Sequence, residues 1–156
     1  MELTPLMLRL HIEALHAEFA WRIDRGDPAT VFELFTPDGS YSRASGESSQ
    51  GHDEIRAAYA TRASRGPRTA RHIFTNLRLY EIEKTRAKGN CILTLFAEDG
   101  LPPRRAEPLL VADFDDEFEC DIKGVWRYKK RLITWIFTRV EGGLGRTLPL
   151  GEKAKK

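Results

Sequence analysis

From Leu8 onward the apolar positions fall three and four residues apart: Leu8, Ile12, Leu15, Phe19 and Ile23. That spacing stacks them on one face of an α-helix. Thr4-Pro5 supplies a capping side chain and a proline at the first helical position, and Arg25-Gly26 ends the run. Asp27-Pro28 opens a short second helix carrying Val31, Phe32, Leu34 and Phe35. Thr36-Pro37-Asp38-Gly39 reads as a turn, Ser40 to Arg43 as a brief strand, and Gly46 to Gly51 as a polar loop. Ile55, Ala58, Tyr59 and Arg62 predict a third helix over 53–63, closed by Gly66-Pro67.

Beyond Pro67 the period drops to two. Long strands are predicted over about 70–84, 88–98, 107–119 and 125–140, with a loop at 99–103 and a tight turn at 121–124. Helices first and strands afterwards indicate an α+β domain, with three N-terminal helices packed in the concave face of a curved, mostly antiparallel sheet. A single domain is expected over 1–143, closed by Gly142-Gly143, with a flexible basic tail over 144–156.

At 156 residues the chain is one domain's worth. It is long enough to hide roughly two-thirds of its unfolded surface. Lys and Arg number 25 against 23 Asp and Glu, but the last five residues hold three Lys and one Glu, so the body carries 22 of each sign. The basic excess is a tail effect, and nucleic acid is not an expected partner. No apolar run approaches the ~20 residues of a membrane span. The start, Met1-Glu2-Leu3-Thr4-Pro5, lacks the basic region of a secretory signal. A cytoplasmic location away from membranes is expected. Cys91 and Cys120 then read as buried free thiols, and no Cys and His spacing suggests zinc, so neither a metal nor a cofactor is expected.

Of the four histidines, His11, His16, His52 and His72, only His72 lies in a strand pattern with apolar neighbours. Its face reads His72, Phe74, Asn76, Arg78, Tyr80. A neutral imidazole there could accept a proton from a substrate, provided a carboxylate on the other ring nitrogen fixes its tautomer. It could equally be a half-buried strand histidine bonded to backbone. Asp24 stands at the end of the first helix, where the dipole disfavours a carboxylate. It is either solvated or held by a partner, and His72 is the candidate. Arg131 falls on a face with Val125, Arg127, Lys129, Ile133 and Trp135. It could stabilise negative charge in a pocket or pair with a neighbouring carboxylate such as Asp116. Tyr41 is a core aromatic or a substrate-orienting hydroxyl. Asp113, Asp115, Glu117 and Glu119 alternate onto one face, either solvated or opposite Arg127, Lys129 and Arg131 across a hairpin.

The order of elements joins with short motifs: Arg22-Ile23-Asp24-Arg25-Gly26-Asp27, Leu34-Phe35-Thr36-Pro37-Asp38-Gly39-Ser40-Tyr41, Gly51-His52-Asp53-Glu54-Ile55 and Arg71-His72-Ile73-Phe74-Thr75-Asn76. Phe114-Asp115-Asp116-Glu117-Phe118 and Gly124-Val125-Trp126 complete the set. Over about residues 6–140 the chain resembles the SnoaL-like branch of the NTF2-like superfamily, which includes scytalone dehydratase and hexachlorocyclohexane dehydrochlorinase. The resemblance implies a cone-shaped fold and a catalytic dyad in which His72 is the general base and Asp24 orients it. It implies a substrate pocket with Tyr41 and Arg131 in its wall, joined by Phe19 and Phe74. It also brings departures. Phe19 stands where the dehydrochlorinase has a lysine, and no histidine follows His72 to match the second one of scytalone dehydratase.

Two functions are carried forward. One is a cofactor-independent lyase or isomerase that removes a proton from a small hydrophobic, possibly cyclic, molecule. The other is a non-catalytic NTF2-like subunit or ligand-binding module, such as the small subunit of a ring-hydroxylating dioxygenase. Either is expected as a homodimer through the sheet.

Overall fold

Thr4 caps α1 (Pro5–Asp24), its hydroxyl accepting the Met7 N–H at 3.2 Å. The computed structural model describes residues 4–44 and 46–139. The expected domain end at Gly142-Gly143 and the tail over 144–156 lie outside them. Leu8, Ile12, Leu15 and Phe19 are buried on one face of α1, as the spacing predicts, and His16 is buried beside them. The second helix is a 3-10 helix over Pro28–Leu34, capped by the Asp27 carboxylate, which accepts the Ala29 N–H. Arg22 ties the two together: its guanidinium donates to Glu18, to the Thr30 carbonyl and to Glu33.

Six strands follow: β1 (Phe35–Arg43), β2 (Ser48–Gln50), then α2 (Gly51–Ala63), β3 (Arg68–Tyr80), β4 (Arg86–Asp99), β5 (Leu110–Cys120) and β6 (Trp126–Thr138). They form one sheet in the order β2-β1-β6-β5-β4-β3. Every pairing is antiparallel except that of β1 with β6, which is parallel.

The Thr36-Pro37-Asp38-Gly39 turn signal lies inside β1 as a bulge. Phe35 faces Tyr128 and Ser40 faces Lys130, so four residues of β1 answer one of β6. Proline is tolerated there because a bulged segment does not owe every N–H to the ladder. Gly39 is required there: a Cβ would come within 3.0 Å of the carbonyl oxygens of Thr36 and Tyr128. Phe35, expected in the second helix, opens the strand, and Ser48–Gln50 of the expected polar loop pairs with it.

Bulges also bend the long strands. In β3, Thr75 faces Ile92 and Arg78 faces Asn90, and Asn76 takes the left-handed conformation at φ 58. Along β6, Phe118 faces Tyr128 and Glu117 faces Lys130, leaving Lys129 as the extra residue. That residue reverses the alternation. Trp126 and Tyr128 point inward, and so do Arg131 and Ile133. The expectation that Arg127, Lys129 and Arg131 share one face is therefore corrected: Arg131 is inward and wholly buried, opposite Asp116, while Asp113 and Asp115 are exposed on the outer face.

The core has two parts. Leu8, Ile12, Phe19, Val31, Phe35, Ile55, Phe118 and Tyr128 join the helices to the sheet. Leu93, Leu95, Leu110, Phe114 and Ile133 coat the inner face of the long strands. Most of this second set faces an open space instead of a helix.

Candidate functional site

That space is a cavity of about 650 Å³, within the size range of small-molecule sites. Ile55 and Tyr59 of α2 line one side, and Leu93, Leu95, Leu110, Phe114 and Ile133 the other. Asp24 and His72 meet in its wall.

The Asp24 carboxylate uses both oxygens on one residue. Oδ2 accepts the His72 backbone N–H at 2.7 Å, and Oδ1 lies 2.6 Å from His72 Nδ1. A carboxylate can only accept, so Nδ1 carries a proton, and in the neutral ring Nε2 is then the nitrogen with the lone pair. Nε2 has no hydrogen-bond partner among the described residues and is left to the cavity. The two bonds also explain how an acid is tolerated at a helix C-terminus: it gains two donors from β3 where α1 itself offers only carbonyls. The side chain of Asp24 is 6% exposed and that of His72 14%, so the pair is shielded without being sealed.

Tyr41 of β1 and Tyr59 of α2 line the same cavity, their rings 6.2 Å apart. Burial pushes the Tyr41 phenol above its ordinary pKa and the Tyr59 phenol well above it. Both stay protonated through the neutral range and can donate to a guest's oxygen. Sequence reasoning placed Tyr59 only on a helix, although its i,i+4 spacing from the buried Ile55 marks the same inward face.

Of the residues expected to meet a substrate, Phe19 and Tyr41 line the cavity. Arg131 and Phe74 do not; they sit behind its floor in a packed cluster. Arg131 donates from Nε and Nη2 to the two oxygens of Asp116, each at 2.8 Å. Its guanidinium lies 3.9–5.2 Å from the ring centroids of Tyr128, Phe114, Phe19 and Phe74. Phe74 stacks on His16 at 5.1 Å. The paired carboxylate is the one the sequence offered as Arg131's alternative partner.

His16 completes this cluster. Its Nδ1 takes the Tyr128 hydroxyl at 2.6 Å and lies 3.2 Å from Arg131 Nη2. An arginine only donates, so Nδ1 accepts and the proton sits on Nε2, which has no hydrogen-bond partner among the described residues. Burial, with the Arg131 charge added, holds His16 well below the ordinary imidazole pKa. Cys91 lies nearby; burial pushes its thiol up to about 12. His16, Cys91 and Asp116 bring their ligand atoms within 4.8 Å of one another. They do not suit a metal, because Arg131 occupies both carboxylate oxygens and adds a positive charge. Cys91 is a buried free thiol as expected, whereas Cys120 is only partly buried. His52 is structural, its Nε2 2.9 Å from the Phe35 carbonyl oxygen. No helix among the described residues is long and apolar enough to cross a membrane.

Similar folds are found among solved structures. A Nostoc punctiforme protein of unknown function with a cystatin-like fold has TM-score 0.70 and 24% identity, over 87% of this chain and 96% of that one. A Novosphingobium aromaticivorans protein provisionally described as a scytalone dehydratase has TM-score 0.73 and 19% identity, over 86% and 87%. ActVI-ORFA of Streptomyces coelicolor has TM-score 0.71 and 15% identity, over 82% and 97%. At these identities the likeness is one of fold. No functionally curated protein matches the chain. The sequence model of the SnoaL-like domain matches residues 4–132, and the chain belongs to that family, within the NTF2-like superfamily.

Proposed function

We propose that the protein is a cofactor-independent lyase or isomerase of the dehydratase kind, acting on a small hydrophobic, cyclic substrate. The observation that carries this reading is the 2.6 Å contact between Asp24 and His72 Nδ1 in the wall of an open apolar cavity. Nε2 removes a proton from a carbon next to a carbonyl. Tyr41 and Tyr59 donate to the oxygen on which charge develops. The imidazolium, steadied by Asp24, returns the proton either to a departing hydroxyl, giving water and a double bond, or to another carbon, moving the double bond. The apolar walls exclude water and strengthen these contacts.

The test is proton exchange by NMR in D2O across a panel of hydroxylated cyclic ketones. The wild-type chain is expected to exchange the acidic C–H of at least one member, and His72→Ala is expected to lose that exchange. Equal exchange in both removes the reading. A homodimer through the outer face of the sheet belongs to the same proposal, supported by exposed Ile73 and Phe137 on that face. A single 17.8 kDa species on gel filtration at micromolar concentration refutes it.

A further inference from the structure

One end of the cavity has more cation than it has counter-charge. Arg68 opens β3 four residues before His72, so both side chains stand on the inward face of the strand, on either side of Ala70. All three line the cavity. Four residues of strand separate Arg68 and His72 by ~13 Å along the backbone, about the length of a substituted bicyclic molecule.

Arg68 is 15% exposed in its side chain and is poorly matched. Its ion-pair contact among the described residues is Nη1 to Asp99 Oδ1 at 3.4 Å. The same oxygen already takes Arg62 Nη2 at 2.7 Å. Asp99 is itself 65% exposed, so solvent dilutes what it offers. Arg68 Nη2 is buried with no acceptor among the described residues. The wider wall repeats the imbalance. Arg25, Arg43, Arg62 and Arg68 line the cavity against Asp24 and Glu47. Asp24 is taken by His72 and Glu47 by Arg43. Desolvation and the neighbouring Arg62 push the Arg68 guanidinium below its ordinary pKa, as expected for a cation short of a partner.

We infer that Arg68 receives an acidic group of the guest, so that the substrate is a cyclic acid whose carboxylate sits at the Arg68 end while its reacting carbon lies at His72. This deepens the proposed function and rests on it for the reacting carbon alone. The anion preference itself is a property of Arg68. A guanidinium accepts a carboxylate in two parallel hydrogen bonds, and the partly desolvated site strengthens them. The apolar wall between the two residues would hold the ring system.

Isothermal titration calorimetry with 2-naphthoate and its neutral isostere 2-naphthamide tests this. The wild-type chain is expected to bind naphthoate about tenfold tighter than the amide, the size of one charged hydrogen bond. Arg68→Met is expected to lose that preference while amide binding stays. Asp99→Asn, made in an Arg62→Met background so that Arg68 alone is freed, is expected to raise naphthoate affinity, an increase that a merely structural Arg68 would not give. Should Arg68→Met fail to fold, the direction of the Asp99→Asn change decides. Equal binding of the two probes by the wild-type chain, no binding of naphthoate, or a preference that survives in Arg68→Met overturns the inference. His72→Ala is expected to keep the preference. Loss of turnover in His72→Ala without any anion preference leaves the lyase reading standing and removes the acid.

Discussion

Two histidine–aspartate pairs sit on the inner side of this sheet, and they have opposite fates. His16 and Asp116 lie 3.9 Å apart in a sealed cluster, with both carboxylate oxygens spent on Arg131 and the imidazole held by a tyrosine hydroxyl. His72 and Asp24 touch at 2.6 Å beside an open cavity, with one ring nitrogen unclaimed. Residue type does not separate them. The difference lies in what else reaches the carboxylate and in whether anything can reach the imidazole. A guanidinium turns the first pair into structure. Its absence, together with the neighbouring cavity, leaves the second imidazole with a ring nitrogen that no described residue claims.

The widest gap between the pairs is expected in turnover. His72→Ala should lower kcat/KM by ~10²–10⁴, the usual contribution of a positioned general base, while His16→Phe should leave the reaction at a given pH within a few-fold. Steady-state kinetics on any substrate found by the exchange screen makes the comparison. Stability should show the reverse. Arg131→Met strands the Asp116 carboxylate in the core and is expected to cost about 3–5 kcal/mol by urea unfolding, whereas His72→Ala, in a half-open wall, should cost far less. Asp24→Asn should lower kcat by ~10²–10⁴-fold, with KM less affected, because the amide no longer fixes the tautomer or supports the imidazolium.

The smallest effect is a pH slope. His16 stays neutral when folded, but in the unfolded chain it has the ordinary imidazole pKa of about 6.5. Below that pH the unfolded chain takes up a proton that the folded chain refuses, so stability falls as pH falls. The contribution is about 1.4 kcal/mol per pH unit, until the folded group itself protonates. Unfolding measured at pH 7.5, 6.5 and 5.5 should show His16→Phe less sensitive to acid than the wild type over that window. Parallel curves would mean that His16 takes up its proton in the fold as readily as in the unfolded chain.

The α1 face, the long strands and the Asp24–His72 pairing were legible because each follows from local spacing or from the family's motif order. The face on which Arg131 stands and the first half of β1 were not, and both failures have one cause. A bulge adds a residue without leaving a mark in the alternation, so the residues beyond it change faces. Lys129 is such a residue. Counting by twos from Val125 put Arg131 on the same face as Arg127 and Lys129, where the register separates them and sets Arg131 inside against Asp116. At Thr36-Pro37-Asp38-Gly39 the composition announced a turn, but the chain bends within its strand and continues. Tyr59 and Arg68 escaped notice for another reason. Their importance depends on an empty volume, and a sequence does not display the space its side chains leave.

Asp24 grips the main chain of β3 as well as the ring of His72. Because the carboxylate is anchored to the strand by a second bond, the imidazole needs no visitor to bring it into line. Under the proposed function the base stands ready before a guest arrives and after it departs, and none of the affinity for a guest is spent on assembling it. The same grip fastens the end of α1 to the sheet, so a slippage of that helix along β3 would disarm the base and loosen the fold in one movement.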